Sequence, residues 1–380
     1  MMVSRSQDSS GWVELNFGPQ HPSTHGVLRL KAKLDGEIIR EVEPIIGYLH
    51  RNAEKICELD YYCDALIYFD RMDYVSAMNM EVGVPGGSGE APWCATPPER
   101  AQWIRVIMAE LNRIASHLVW AGTFGLDLGM LTPPFFYCFI EREKILNIFA
   151  EACGSRQETN YMSIGGGVYQ DFNDKIIYMI EEFLSSFPKR LEEIYNIFVK
   201  NDIFISRTKG VGVLKREVAL DYGVTGPMLR ASGVEYDVRK AEPYLVYDKL
   251  NFDIPVSFKG DTLARFLVRF EEMRQSVKIL KQAIKKIPDG PYFNPKAKKS
   301  LMTRLRGGEG EVYARTESPK GEFGVYLVGD GGVKPYRVHV RSPPMFKNLS
   351  VLPVLAKDQM IADLIAISGS IDLVFGEVDR

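Results

Sequence analysis

Thr96-Pro97-Pro98-Glu99 opens the stretch ERAQWIRVIMAELNRIASHL, Glu99 to Leu118, in which Ile104, Ile107, Met108, Leu111, Ala115 and Leu118 return at helical spacing. Thr96 offers an N-cap, a proline stands in the first turn and Glu99 completes a capping box, so the pattern predicts a helix starting here. The apolar run continues: between Ile114 and Ile140 the only formal charge is Asp127. A membrane-spanning helix needs about 20 apolar residues in sequence. Gly122, Gly125, Gly129, Pro133 and Pro134 interrupt this run, which therefore reads as two buried helical segments around a loop. Thr132-Pro133-Pro134 opens the second, with Gly154 as its C′ residue. A third helix is expected from Asp174 to Phe198, bent near Pro188. A fourth starts at Asp261 or Thr262 and ends near Ile287. Four apolar-faced helices predict a central bundle.

On either side of the bundle the period changes to two. Leu28, Leu30, Ala32 and Leu34 alternate with polar residues, Asp35-Gly36 is a hairpin turn signal, and Ile39 to Val42 returns. Near the other end, Glu311 to Arg315, Val325 to Val328 and Tyr336 to Val340 read as strands, and Leu355 to Ile371 as a terminal helix. Pro288 to Gly310, rich in Pro, Lys and Gly, is the expected boundary before them. The expected class is α+β, with an N-terminal β unit over 1–60, the helical bundle over 61–287 and a C-terminal β region over 288–380.

The balance of 47 Lys+Arg against 49 Asp+Glu in 380 residues gives a net charge of −2 and no electrostatic footprint for nucleic acid. Apolar residues at 46% and charged residues at 25% exclude disorder and coiled coil as global readings. Five cysteines without a CxxC form neither a disulfide framework nor a zinc or iron–sulfur cradle, which fits a reducing, cytosolic setting. The first residues, MMVSRSQDSSGW, hold no apolar run and argue against a secretory signal.

Residues able to carry chemistry are few. In Gly18-Pro19-Gln20-His21-Pro22-Ser23-Thr24-His25-Gly26 two histidines sit four apart in a Pro-shaped turn; the segment reads either as a proton-handling loop or as a turn with solvated imidazoles. Pro22 forbids the helix that would aim both rings at one metal. Asp127, inside the most apolar stretch, is either a functional buried carboxylate or a capping loop residue. Arg71-Met72-Asp73-Tyr74 follows the aromatic pairs Tyr61-Tyr62 and Tyr68-Phe69, where core packing competes with a hydrogen-bonding phenol. The glycine clusters at 83–89, 165–167 and 329–332 lack the context of a phosphate loop, and no GxSxG is present.

The string NFGPQHPSTHGVLRL (Asn16 to Leu30) strongly resembles the 49 kDa, or D-subunit, family of respiratory complex I. So do GYLHR (Gly47 to Arg51), FDRMDYVS (Phe69 to Ser76), the Glu99–Leu118 helix, LRASGVEYDVRKAEPY (Leu229 to Tyr244), ESPKGEFGVYLVGDGG (Glu317 to Gly332) and GSIDLVFGEVDR (Gly369 to Arg380). The resemblance implies a peripheral, quinone-site subunit of an H+-translocating NADH–quinone oxidoreductase on the cytoplasmic side of the membrane, inactive alone. Its implied partners are a cluster-bearing B-like subunit, a C-like subunit and a quinone-channel membrane subunit. The chain would hold no metal: the iron–sulfur cluster lies in the adjacent subunit, NAD(H) is used by others, and the quinone (ubiquinone or menaquinone) is the substrate. The family's quinone tyrosine falls on Tyr74, its quinone histidine on His25 and the aspartate pairing with that histidine on Asp127. Arg71 falls near the partner's cluster. Glu158 stands where the family often has a histidine near that cluster, which implies an altered pH dependence of its potential.

The family is also similar to the nickel–iron hydrogenase large subunit, whose metals sit on two Cys pairs. The matching segments here, Arg71–Ser76 and Asp372–Phe375, contain no cysteine, which disfavours a hydrogenase-like function. A structural scaffold that has lost quinone binding is the other alternative, because Val82 to Pro98 departs from the family pattern; Lys296 to Gly310 is also shorter than the family's usual segment there.

Overall fold

The computed structural model describes residues 11–21, 26–84, 96–294, 297 and 305–380. The N-terminal strands β1 (Val13–Phe17), β2 (Arg29–Asp35) and β3 (Ile38–Ile45) form an antiparallel sheet in the order β1-β2-β3. Leu28, Leu30, Ala32 and Leu34 are buried on one side, as their alternation requires. Asp35 pairs with Ile38 across a two-residue turn in which Gly36 has φ 63°, a conformation that favours glycine.

Three short helices come next, α1 (Ala53–Leu59), α2 (Tyr62–Asp70) and α3 (Ala77–Gly83), which the reading of the sequence did not separate. The bundle consists of α4 (Glu99–Asp127), α5 (Pro134–Cys153), α6 (Asp174–Val199) and, after four short helices (Asp202–Thr208, Arg216–Asp221, Pro227–Ala231 and Val238–Ala241, α7 to α10), α11 (Thr262–Lys286). A two-residue hairpin, β4 (Met162–Ser163) and β5 (Gly167–Val168), joins α5 to α6. α4 packs on α5 and α11, and α6 packs on both of these. Ile104, Ile107, Met108, Leu111 and Leu118 are fully buried; each contributes about 1.5–3 kcal/mol of transfer free energy.

The expected capping box of α4 is absent. Pro98 holds the N-cap position without a side-chain bond, and Glu99 is spent on Lys249 at 2.6 Å. Gly122 and Gly125 do not break α4 either. A Cβ at Gly122 would stand 3.2 Å from Phe139 Cε2, and one at Gly125 3.2 Å from Phe198 Cε1, so these glycines admit neighbouring helices closely. The break comes after Asp127, and α5 ends at Gly154 with φ 76°, as expected. α6 runs through Pro188, and the side chains of Asn173 and Asp261 cap α6 and α11.

The C-terminal sheet, β6 (Glu309–Ser318), β7 (Gly321–Asp330) and β8 (Arg337–Arg341), is antiparallel in the order β6-β7-β8. The tip of its first hairpin is buried: Lys320, in the turn between Ser318 and Gly321, is 1% exposed. The expected single helix from Leu355 to Ile371 is two helices, Leu352–Ala356 and Ile361–Ile371. Between them Asp358 takes φ 62° and the chain binds β3, with Ile39 N–H donating to Gln359 O (2.9 Å) and Asp358 N–H to Ile39 O (2.8 Å). The mixed architecture is α+β, with a small sheet on either side of the helical core in sequence.

Candidate functional site

A cavity of about 330 Å³ lies where the C-terminal half of α4 meets two loops. Ser116, Val119, Trp120, Thr123, Leu126 and Asp127 line it from α4; Tyr74 and Val75 come from the loop after α2, and Asp372, Leu373 and Val374 from the segment after Ile371. The cysteine-free segments 71–76 and 372–375 thus both contribute to the wall of one cavity. Two other depressions, around His50 and Arg380 and around Lys33 and Arg40, hold none of the candidate site residues.

Tyr74 and Asp127 are brought together. Tyr74 is half-buried, and burial, reinforced by Asp73, raises its phenol above the ordinary value. Its backbone carbonyl accepts a bond from Gln157 Nε2 at 3.2 Å. Asp127 is the last residue of α4 and is half-buried; it is neither sealed in the core nor a loop residue capping the next helix. A Cβ at Gly369 would lie 2.7 Å from Asp127 Oδ2, so glycine at that helix position leaves room for the carboxylate. His25 lies outside the described residues. Its neighbour Gly26 bridges to His21 and lies against Phe375, one residue beyond the cavity wall.

Arg71 and Glu158 do not line the cavity. They form an ion pair with each other, Nη2 to Oε2 at 3.1 Å, on the partly exposed side of the Tyr74 loop. Such an exposed pair contributes about 0–1 kcal/mol.

The buried polar network next to the cavity was not legible in the sequence. Lys320 Nζ donates to Asp73 Oδ2 (2.9 Å) and Ser116 Oγ (3.1 Å), and lies 4.0 Å from Asp372. Arg269 also lies 4.0 Å from Asp372 and stacks on the Trp120 ring at 4.2 Å. Trp120 Nε1 donates to Gly369 O at 2.8 Å, which fixes the indole on the wall. Burial alone would lower Lys320, but Asp372 and Asp73 outweigh it and keep the ammonium charged. Burial and the Asp73 charge push Glu377 well above the carboxylate range, so that group holds its proton. Among the described residues, none donates a hydrogen bond to Asp73 Oδ1 or Asp372 Oδ2. Asp73 and Asp372 stand inside recognisable motifs, but their shared partner sits 247 residues from Asp73, a separation that no local pattern reveals.

Behind this wall α4 carries a buried charge network. His117 Nε2 contacts Glu272 at 2.9 Å, Glu272 binds Arg230 at 2.7 Å, and Arg230 reaches Glu317 at 2.7 Å. Burial lowers His117, so the neutral ring donates through Nε2 to the Glu272 carboxylate.

A family model described as the 49 kDa subunit of the respiratory-chain NADH dehydrogenase matches residues 127–380. The chain is 47% identical over 366 residues, 96% of each chain, to the NADH-quinone oxidoreductase D subunit 2 of Solibacter usitatus. It is 49% identical over 367 residues to the D subunit of Dehalococcoides mccartyi, covering 96% of this chain and 98% of that one. This chain belongs to the 49 kDa, or D-subunit, family. To the corresponding protein of Chlorobaculum tepidum it is 46% identical over 395 residues, covering 100% of this chain and 94% of that one. The likeness to the 49 kDa family therefore extends to the N-terminal sheet and the Tyr74 loop. No helix among the described residues is long and apolar enough to cross a membrane.

Proposed function

We propose that this chain is the quinone-site subunit of the peripheral arm of a proton-translocating NADH–quinone oxidoreductase. The observation that supports this most is the convergence of Tyr74 and Asp127, from segments 53 residues apart (127 minus 74), on one cavity to which α4 also contributes Val119, Trp120 and Leu126. A quinone headgroup is flat and apolar with two carbonyl acceptors. Val119, Trp120, Leu126, Leu373 and Val374 offer it apolar contact, and the Tyr74 hydroxyl is a donor for one carbonyl. His25 is assigned to the other carbonyl, and Asp127 to holding that imidazole and raising its pKa.

Reduction of a quinone takes two electrons and two protons. A partner's iron–sulfur cluster supplies the electrons; this chain positions the ring, excludes water and delivers protons from Tyr74 and His25. Once His25 has given up its proton, the Asp127 carboxylate loses its cationic partner in a half-closed site. That change in local charge costs several kcal/mol if uncompensated, and makes Asp127 the proposed electrostatic trigger for proton pumping. Asp127→Asn with full pumping stoichiometry would refute the trigger.

The proposed partners are a cluster-bearing B-like subunit, a C-like subunit and a quinone-channel membrane subunit, with the chain peripheral on the cytoplasmic face. The test of quinone occupancy is Val119→Trp, which fills the cavity from α4 without altering Tyr74 or Asp127. In an assembled complex it should raise the quinone KM roughly tenfold, the equivalent of 1.4 kcal/mol, while a hydrophilic electron acceptor served by upstream subunits is reduced at the normal rate. An unchanged quinone KM would place the quinone elsewhere.

A further inference from the structure

Asp70, the last residue of α2, and Glu81 in α3 are completely buried, and their carboxyl groups face each other. Glu81 is surrounded by donors: the Thr159 hydroxyl donates to Oε1 at 2.6 Å, and the N–H groups of Tyr161 and Met162 donate to Oε2 at 2.9 and 2.6 Å. Asp70 Oδ2 accepts from Asn160 N–H at 2.8 Å, whereas Oδ1 receives no donor among the described residues. Among the described residues neither carboxyl is ion-paired with a lysine or arginine. Arg71 is directed to Glu158 (3.1 Å) and the Ile67 carbonyl (2.8 Å), and Arg105 donates to the carbonyls of Ser163 and Gly167 at 2.7 Å each.

Two buried carboxylates that face each other, with no cation between them, cannot both stay ionised. One proton held between them turns repulsion into a short hydrogen bond and supplies the donor that Asp70 lacks. Burial, then the Glu81 charge, push Asp70 up to about 9, and burial raises Glu81 as well. The other titratable or charged groups facing the pair are Arg71 beside α2, Arg105 of α4, Cys153 of α5, Tyr161 of the clamped segment and Tyr169 after β5.

Three consecutive backbone N–H groups, of Asn160, Tyr161 and Met162, end on this pair. The same segment begins with Gln157, whose side chain supports the Tyr74 carbonyl. We propose that Asp70 and Glu81 share a single proton and act as a positioning pair, clamping the 159–162 segment and, through Gln157, holding Tyr74 in place for quinone reduction. The role in catalysis rests on the reading that Tyr74 meets the quinone; the shared proton does not.

The test compares Asp70→Asn with Asp70→Ala in the assembled complex. An Asn side chain donates to Glu81 as the shared proton does and still accepts from Asn160, so Asp70→Asn should keep at least half of the quinone reductase activity at neutral pH. Asp70→Ala strands a charged Glu81 and should lower kcat about tenfold or more. Wild-type activity should decline as pH rises through about 9, and this limb should vanish in Asp70→Asn. Amide hydrogen exchange at 160–162 gives a readout that needs no quinone: protection should fall over the same pH range in the wild type and stay constant in Asp70→Asn. If protection does not change with pH, or if Asp70→Asn is as damaged as Asp70→Ala, there is no shared proton. If protection changes but the activity profile does not, the positioning role is overturned. A silent Tyr74→Phe beside pH-dependent protection would condemn the quinone reading of Tyr74 and leave the shared proton standing.

Discussion

At the scale of single residues, the sequence made the chemistry legible wherever it depends on a rare residue in a local motif. Tyr74 in RMDY and Asp127 in an uncharged run stand out by type, and both line the cavity. Lys320 does not stand out: among the chain's 47 basic residues nothing local separates it from a surface lysine, yet it is the buried hub for Asp73, Ser116 and Asp372. Removing one partner of a buried ion pair leaves an uncompensated charge worth about 3–5 kcal/mol. Lys320→Met should therefore cost roughly that much in stability, seen as a lowered melting temperature and poor assembly. A variant that assembles and melts like the wild type would show that Asp73 and Asp372 do not depend on it. Gly369→Ala is the finer probe. Its Cβ would press on Asp127 Oδ2 at 2.7 Å, so quinone reductase activity should fall while the buried helix Ile361–Ile371 keeps its place. Full activity would mean that the position of Asp127 does not matter.

At the scale of elements, apolar spacing located the bundle helices because burial sets it directly. Their ends were less legible. Caps are chosen by tertiary context: Glu99 serves Lys249 instead of a capping box, and the last helical stretch is split because residues 358–361 hydrogen-bond to β3 and its preceding turn. The hairpin that delivers Lys320 depends on a close backbone approach. Gly226, at the N-cap of α9 with φ 71°, would place a Cβ 2.4 Å from Lys320 O and 2.5 Å from Gly321 Cα. No rotamer relieves a clash with backbone, so Gly226→Ala should destabilise by on the order of 3 kcal/mol and displace the hairpin tip. Denaturant unfolding that matches the wild type would contradict this packing. Gly122→Ala meets the movable ring of Phe139 at 3.2 Å and otherwise only ordinary side-chain contacts with Cys138 and Phe135 at 3.5 Å, and should cost less.

At the scale of the whole molecule, the described core is rich in buried charge, and its pH dependence follows from the direction of each shift. Burial raises Glu317 to about 7 and, together with Glu81, raises Asp70 to about 9. A carboxyl raised in the folded state stabilises fully below its unfolded value, and that stability is lost as pH climbs through the folded value. Arg230 and His117 hold Glu272 below the ordinary range against burial, so its contribution is present at neutral pH and lost only in acid. The melting temperature should thus fall as pH rises through about 7 and on through about 9. A flat or rising profile would mean that these carboxyls are not protonated in the fold. None of this was visible in a net charge of −2, because it arises from pairing across distant segments and not from composition.

The central claim is that quinone is reduced against Tyr74. Its most direct test is quinone reductase activity in membranes carrying Tyr74→Phe, with assembly of the complex verified in parallel. Phe keeps the ring on the cavity wall and removes only the hydroxyl. The account predicts a loss of at least tenfold, the equivalent of about 1.4 kcal/mol of barrier, in an intact complex. Unchanged activity in an intact complex would contradict it, and would leave the cavity between α4 and the Asp372–Val374 segment without a role in the reaction.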